Sequence, residues 1–289
     1  GRPYRKMSIA RSIQEVHDAA FSRLPAGLLI SLAAYGLSPS VFMKEFVGTV
    51  LMVGLTFSAG KWIGEDSIPV AWTAHAVGVI LADKVGGGQH VNPAVSVTML
   101  SLGKIDYHEF YVRCAGSMAG GILSFPLFKA LTDVANLSPL GGPEFVTDNS
   151  DAAFLSEAIS TAFLCIAIFV LNWELNFGKN HYYIKQFLTA VAIRSLIVFF
   201  PAAGPALNPM LGTTWAIFST GKLPDDPAHY FVYWGGPCLG AVVAALVYAI
   251  YAGETFMGKK LPVGPIKKKK TPEPKASEQK KTAAKKKKN

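Results

Sequence analysis

The sequence predicts an all-α membrane protein of six transmembrane helices plus two re-entrant half-helices, arranged as an inverted 3+3 repeat. Three observations carry that prediction. Of 289 residues, 51% are hydrophobic and only 16% charged, where a soluble domain carries nearer a quarter charged. Six apolar stretches of membrane-crossing length lie at about 41–60, 68–85, 107–131, 152–173, 183–200 and 228–252. An Asn-Pro dipeptide, set behind small residues and ahead of an apolar segment too short to cross, occurs twice, at Asn92-Pro93-Ala94 and Asn208-Pro209-Met210.

In the segment 1–40, Ile9, Ile13, Val16, Ala20 and Leu24 repeat at three- and four-residue spacing beside Arg5, Lys6, Arg11 and Arg23. This fits an amphipathic helix, either on an anionic membrane surface or docked on the protein itself. The membrane domain spans 41–256, with repeats at about 41–131 and 152–252. Each repeat reads span, span, half-helix, span. Three crossings per repeat is an odd number, so the second repeat inserts upside down relative to the first. In the two short segments, 93–102 and 209–219, asparagine reads as the N-cap and proline as the first helical residue. The preceding runs, Gly86–Gly88 and Ala203–Ala206, read as re-entrant loops.

The net charge is +9, but 13 lysines against Glu273 and Glu278 give residues 259–289 a charge of +11 and leave −2 for the rest. The loop between the third and fourth spans carries Asp133, Glu144, Asp148 and Asp151 without a basic residue. Lys84, Lys104, Lys179, Lys185 and both termini lie on the opposite side. The positive-inside bias therefore predicts cytosolic termini. Cys114, Cys165 and Cys238 all fall in apolar spans, an odd number without Cys-x-x-Cys spacing, so they read as packing residues and no metal site is expected.

Inverted half-helices would meet end to end, bringing Asn92 and Asn208 together near the bilayer midplane. Each N-terminus carries about half a positive charge, and the asparagine amides add donors. Such a site favours a neutral molecule with an oxygen lone pair and opposes cations and protons. Glu45 and Glu157 open the first and fourth spans at matching positions, 47 and 51 residues before the two asparagines. They read as holders of the re-entrant loops' N–H groups. His75 and His90 read as packing residues.

The sequence resembles the aquaporin (major intrinsic protein) family. The resemblance runs from about Phe42 to Tyr251 through Glu45-x-x-Gly48-Thr49, Asn92-Pro93-Ala94, Glu157, Asn208-Pro209 and Trp234-x-Gly236-Pro237-x-x-Gly240. It implies a homotetramer in which each subunit holds its own pore. Two positions depart from the family pattern: Met210 stands where the second motif usually has alanine, and Leu211 where the filter arginine usually follows. Counting from the motifs puts Trp72, Leu196, Pro205 and Leu211 at the filter positions. Those departures, with Trp215 and the basic tail, are similar to the small basic intrinsic protein and superaquaporin branches. Arg194, mid-span, has two readings: a buried arginine paired with Glu157, Glu45 or loop carbonyls, or, by a register shift, the filter cation itself.

The tail, 257–289, is rich in lysine, proline and alanine and is expected to be disordered and cytosolic. Lys286-Lys287-Lys288-Asn289 resembles a dilysine signal for the endoplasmic reticulum; a polybasic segment drawn to anionic lipid is the other reading. No aromatic or arginine interleaves the lysines, so no nucleic-acid partner is expected. The expected function is a passive channel for water or small neutral solutes, with glycerol and hydrogen peroxide as candidates. The alternative is a junctional membrane protein of the same fold with little transport. No nucleophile–base pair or cofactor motif points to an enzyme, and a coupled transporter would call for a midplane carboxylate that the sequence does not supply.

Overall fold

A computed structural model describes residues 39–56, 67–135, 142, 143, 149–263 and 265–267. The expected amphipathic segment, most of the acidic loop and the tail from residue 268 lie outside these residues. In chain order the helices are α1 (Pro39–Thr56), α2 (Ile68–Gly86), the short α3 (Pro93–Ser101), α4 (Tyr107–Ala135), α5 (Ser150–Phe169), α6 (His181–Phe199), the short α7 (Pro209–Thr220), α8 (Pro227–Tyr230) and α9 (Gly236–Ala252). A π-helical turn, Val170–Glu174, extends α5, and another, Phe231–Gly235, joins α8 to α9.

Five of the described spans are long and apolar enough to cross a membrane: Ile68–Gly86, Tyr107–Ala135, Ser150–Glu174, Gly178–Phe199 and Pro227–Ala252. Helix α1, with 18 described residues, is the sixth by position. It packs along α4 as α5 packs along α9, and α2 meets α6 across the repeat boundary. The half-helices pack mainly on the opposite repeat, α3 against α9 and α7 against α4. The two repeats are thereby interlocked, and neither can bury its half-helix alone.

Glycines set the closest approaches. A Cβ on Gly116 would stand 2.8 Å from the Phe42 carbonyl and one on Gly120 2.7 Å from that of Phe46. In the second repeat, Gly236 and Gly240 bring α9 onto the Phe154 and Ala158 carbonyls in the same way. Small residues at helix contacts let backbones touch where lipid supplies no hydrophobic drive for association.

Met210 owes its place to this small-residue packing. In the first repeat the corresponding residue, Ala94, is fully buried in a cluster with Cys165, Ala241 and Ala245. Met210 is buried with Val53, Phe125 and Trp215. Its longer side chain fits because α4 offers Gly121, whose Cβ would lie 2.4 Å from the Met210 sulfur. Counting from the paired glycines, Gly121 corresponds to Ala241. One repeat thus pairs alanine with alanine, and the other pairs methionine with glycine.

One boundary differs from expectation. The chain stays ordered past residue 256: Thr255–Phe256 and Lys259–Lys260 form a two-stranded hairpin, and the Met257 N–H donates to the Ser101 carbonyl at 2.7 Å. The hairpin thus covers the C-terminal end of α3, and Phe256 and Leu261 extend the Ala94 cluster. The sequence reading missed it because the turn, Met257-Gly258, sits inside a lysine-rich stretch. Beyond it, the Lys267 ammonium lies 2.6 Å from Glu174, a contact that raises the lysine pKa above its ordinary value.

Gly121→Ala is expected to destabilise the fold by about 1–3 kcal/mol through overpacking against Met210. Met210→Ala in the same chain should recover most of that loss. Thermal unfolding in detergent of the two single variants and the double variant measures the coupling.

Candidate functional site

The site begins with two strained residues. Val91 and Leu207, each immediately before an N-cap asparagine, have φ of 50° and 52°. That left-handed region is costly for a bulky side chain, and for β-branched valine it is an outlier. A buried carboxylate meets each one. Glu45 accepts the His90 N–H at 2.7 Å on one oxygen and the Val91 N–H at 2.8 Å on the other. Glu157 accepts the Ala206 and Leu207 N–H groups, both at 2.8 Å, in the same manner. Both glutamates are fully buried. Charge-assisted bonds to consecutive N–H groups are strong enough to offset local backbone strain of this size.

With its predecessor held, each asparagine turns into its helix. Asn92 caps α3 by accepting from the Ala94 N–H at 2.9 Å, and Asn208 caps α7 by accepting from the Met210 N–H at 3.0 Å. Pro93 and Pro209 occupy the first helical turn. The amide nitrogens then cross between repeats. Asn92 Nδ2 donates to the Leu207 carbonyl at 2.8 Å, and Asn208 Nδ2 to the Val91 carbonyl at 2.9 Å. An NH₂ group has two hydrogens, so each amide retains one after this exchange. The two half-helix N-termini, each a locus of partial positive charge, are thereby locked face to face.

Two further side chains, not anticipated from the sequence, brace the loops. Arg113 on α4 donates to Glu45 and, at 3.4 Å, to the Gly88 carbonyl, while its Nε binds Glu109. Tyr233, in the π-turn before α9, donates its hydroxyl to the Ala203 carbonyl and, at 3.2 Å, to that of Gly204. The two residues stand at matching places in the repeats, each three positions before a contact glycine, Gly116 or Gly236. The signal lay in that spacing. It was hidden because one residue is charged and the other is not.

A cavity of about 1060 Å³ passes this junction. Asn92, Asn208, Val91 and Leu207 line its middle. Asp83, Lys84, Tyr182 and Lys185 line one end, and Gly142, Pro143, Arg194, Pro205 and Leu211 the other. Along α6 the lining runs from Tyr182 to Ile197 at three- and four-residue steps, a length of about 22 Å at 1.5 Å per residue. The polar end is well tied: the Tyr182 hydroxyl donates to Asp83 at 2.8 Å, Lys84 to Tyr183 at 3.0 Å and Lys185 to Asn172 at 2.7 Å.

Of the four filter positions counted from the motifs, Pro205 and Leu211 line the cavity, whereas Trp72 and Leu196 are not among its lining residues. Helix α2 presents His75, Val79 and Asp83 there, and α6 presents Thr189, Ile193, Arg194 and Ile197. Of the two readings of Arg194, the pairing with Glu45 or Glu157 does not form. Glu45 is taken by Arg113 and both Glu157 oxygens by loop N–H groups, and Arg194 makes no ion pair among the described residues. Pro93, Ala94, Pro209 and Met210 are buried and are not among the cavity-lining residues. The three cysteines are free, and among the described residues no cluster of three His, Cys, Asp or Glu could hold a metal ion.

Arg113→Met leaves the Glu45 carboxylate buried without its cation and is expected to cost about 3–5 kcal/mol. Tyr233→Phe leaves two carbonyls short of a donor and should cost about 1–3 kcal/mol. Unfolding midpoints in detergent check the order, with Arg113→Met the more damaging.

Comparison with known proteins agrees with this geometry. The chain is 27% identical to Aquaporin A of Dictyostelium discoideum over 234 residues, covering 74% of this chain and 79% of that protein. It is equally 27% identical over 217 residues to a glycerol uptake facilitator protein-like 6 of Lactiplantibacillus plantarum, covering 74% and 98%. The X-ray structure of the aquaglyceroporin from Plasmodium falciparum shares the fold, with a TM-score of 0.60 at 23% identity over 73% of this chain and 95% of that one. The family model described as "Major intrinsic protein" matches residues 32–248, three quarters of the sequence. The chain belongs to the major intrinsic protein family.

Proposed function

We propose that the protein is a passive channel for water and small neutral solutes, with glycerol and hydrogen peroxide among them, and that it excludes ions and protons where the half-helices meet. The observation that carries this reading is the reciprocal asparagine junction inside the long cavity. Each amide spends one N–H on the opposite repeat and holds one in reserve, beside two helix N-termini. An oxygen lone pair gains at such a point, while a cation meets positive potential from both sides. The apolar walls from Val79, Val95, Leu164 and Ile193 offer a permeating molecule few competing partners. The relatives named for aquaporin and for glycerol uptake support the same class of solute.

The remaining features follow from that reading. The basic ends at Lys84, Lys104, Lys179 and Lys185 would face the cytosol together with both termini. A homotetramer with one pore per subunit is the proposed assembly, and the final dilysine makes the endoplasmic reticulum a candidate membrane. The length of the lined cavity favours transport over a purely junctional role.

Stopped-flow light scattering on proteoliposomes tests the proposal. Swelling should exceed that of empty vesicles for water and for at least one of glycerol and peroxide; equality for all three would remove it. Leu211→Arg, which adds bulk and charge to the cavity wall, should lower glycerol flux more than water flux. An unchanged ratio would place Leu211 outside the solute's path.

A further inference from the structure

Of the described residues other than glycine, Val91, Leu207 and Met257 have positive φ. The asparagine junction accounts for the first two. Met257 (φ 47°) and Gly258 (φ 74°) form the two-residue turn of the 255–260 hairpin, and with both residues left-handed it is the turn that favours glycine or asparagine. Glycine adopts that region freely; methionine is strained there and stays only where its surroundings hold it. The Met257 side chain is exposed, and the contact that holds the turn is its backbone N–H on the Ser101 carbonyl.

From this turn a chain of contacts runs to the cavity wall. Before the hairpin, Glu254 pairs with Lys104 at 3.1 Å, and the Lys104 ammonium lies 5.6 Å from the ring centre of Trp173. Beyond the hairpin, the Lys267 ammonium pairs with Glu174, and the Lys267 N–H donates to the Tyr251 carbonyl at 2.9 Å. The other Glu174 oxygen accepts from the Tyr248 hydroxyl at 2.7 Å. Trp173 stacks on Phe169, with ring centres 4.9 Å apart, and tilts against Tyr248 at 5.1 Å.

Trp173 and Glu174 end the π-helical turn Val170–Glu174, a rare geometry that is frequent at functional places. Asn172 and Trp173 line the cavity beside Lys185, whose ammonium binds Asn172 at 2.7 Å. The indole is therefore part of the wall at the cavity's Asp83–Lys185 end. It is 38% exposed, so contacts and not burial keep it in place.

We propose that Glu254–Lys267 is a strap that holds this end of the cavity open. Latched, it keeps Glu174 and Tyr248 together and Trp173 against the wall. Released at Lys267, the π-turn relaxes, the indole swings across the cavity and flux falls. The pairs that close the latch, Lys267–Glu174 and Lys104–Glu254, both use exposed lysines. Such pairs are weak and exchange readily with solvent, which suits a contact that opens and closes, and the strain at Met257 biases the strap toward release. The proposal rests on the channel reading and adds a closing element to it.

The test uses the full chain. In proteoliposomes, Lys267→Met should lower water and glycerol swelling severalfold. Lys267→Met combined with Trp173→Ala should restore it, because the closing side chain is gone; a plain loss of structure is not rescued by a second truncation. In detergent, trypsin should cut Lys267→Met at Lys259–Lys260 faster than wild type, as read from the mass of the membrane fragment. Lys267→Met swelling at the wild-type rate, or a double variant as slow as the single one, overturns the strap. Wild-type vesicles no faster than empty ones would instead remove the channel reading. Cutting at Lys259–Lys260 then decides the latch alone: faster cutting in Lys267→Met sustains it, and equal rates remove it.

Discussion

Everything at the centre of this protein depends on a carboxylate, buried to zero exposure, accepting two consecutive backbone N–H groups. Glu45 does this for His90 and Val91, and Glu157 for Ala206 and Leu207. Without these clasps the left-handed Val91 and Leu207 would relax, and the asparagines after them would lose their aim. Burying a carboxylate is costly. The two N–H groups repay that cost and leave the polarity of the half-helix ends for the cavity. Irregular backbone at membrane depth is tolerated where protein buries it or it lines a cavity, and these loops meet both conditions.

The two repeats solve this common problem with different chemistry. Arg113 braces the Gly88 carbonyl and neutralises Glu45. Tyr233 braces Ala203 and Gly204 with a neutral hydroxyl, and among the described residues Glu157 has its two N–H donors and no cation. Likewise Ala94 packs near Ala241, whereas Met210 packs against Gly121. Position is preserved across the pseudo-symmetry while side-chain identity is not. What the pseudo-symmetry keeps at these places is the position of each donor and the contact of each motif residue with a small residue on the packed helix.

The alteration of the second motif therefore bears less on the pore than its sequence suggests. Met210 is buried and is not among the cavity-lining residues, and its volume is absorbed by a missing side chain on α4. Leu211 is the departure that reaches the cavity. The hairpin at 255–260 supports the far end of α3.

The elements that could be read from the chain are those determined by local chemistry. Asparagine before proline caps a helix whatever surrounds it, apolar runs of about 20 residues cross a membrane, and Glu45, Glu157, Asn92 and Asn208 declare themselves by repeated spacing. The family resemblance rested on the same residues. What tertiary structure decided is which face of each long helix meets the cavity. Counting from the motifs pointed to Trp72 and Leu196, but His75 and Arg194 line the cavity. That face depends on how α2 and α6 are rotated and shifted against loops more than ten residues away, and a count along the chain contains no such term. The same holds for Arg113, Tyr233 and Gly121. Their roles exist only because a distant segment arrives beside them; for Arg113 and Tyr233 the glycine spacing marks the place but not the role.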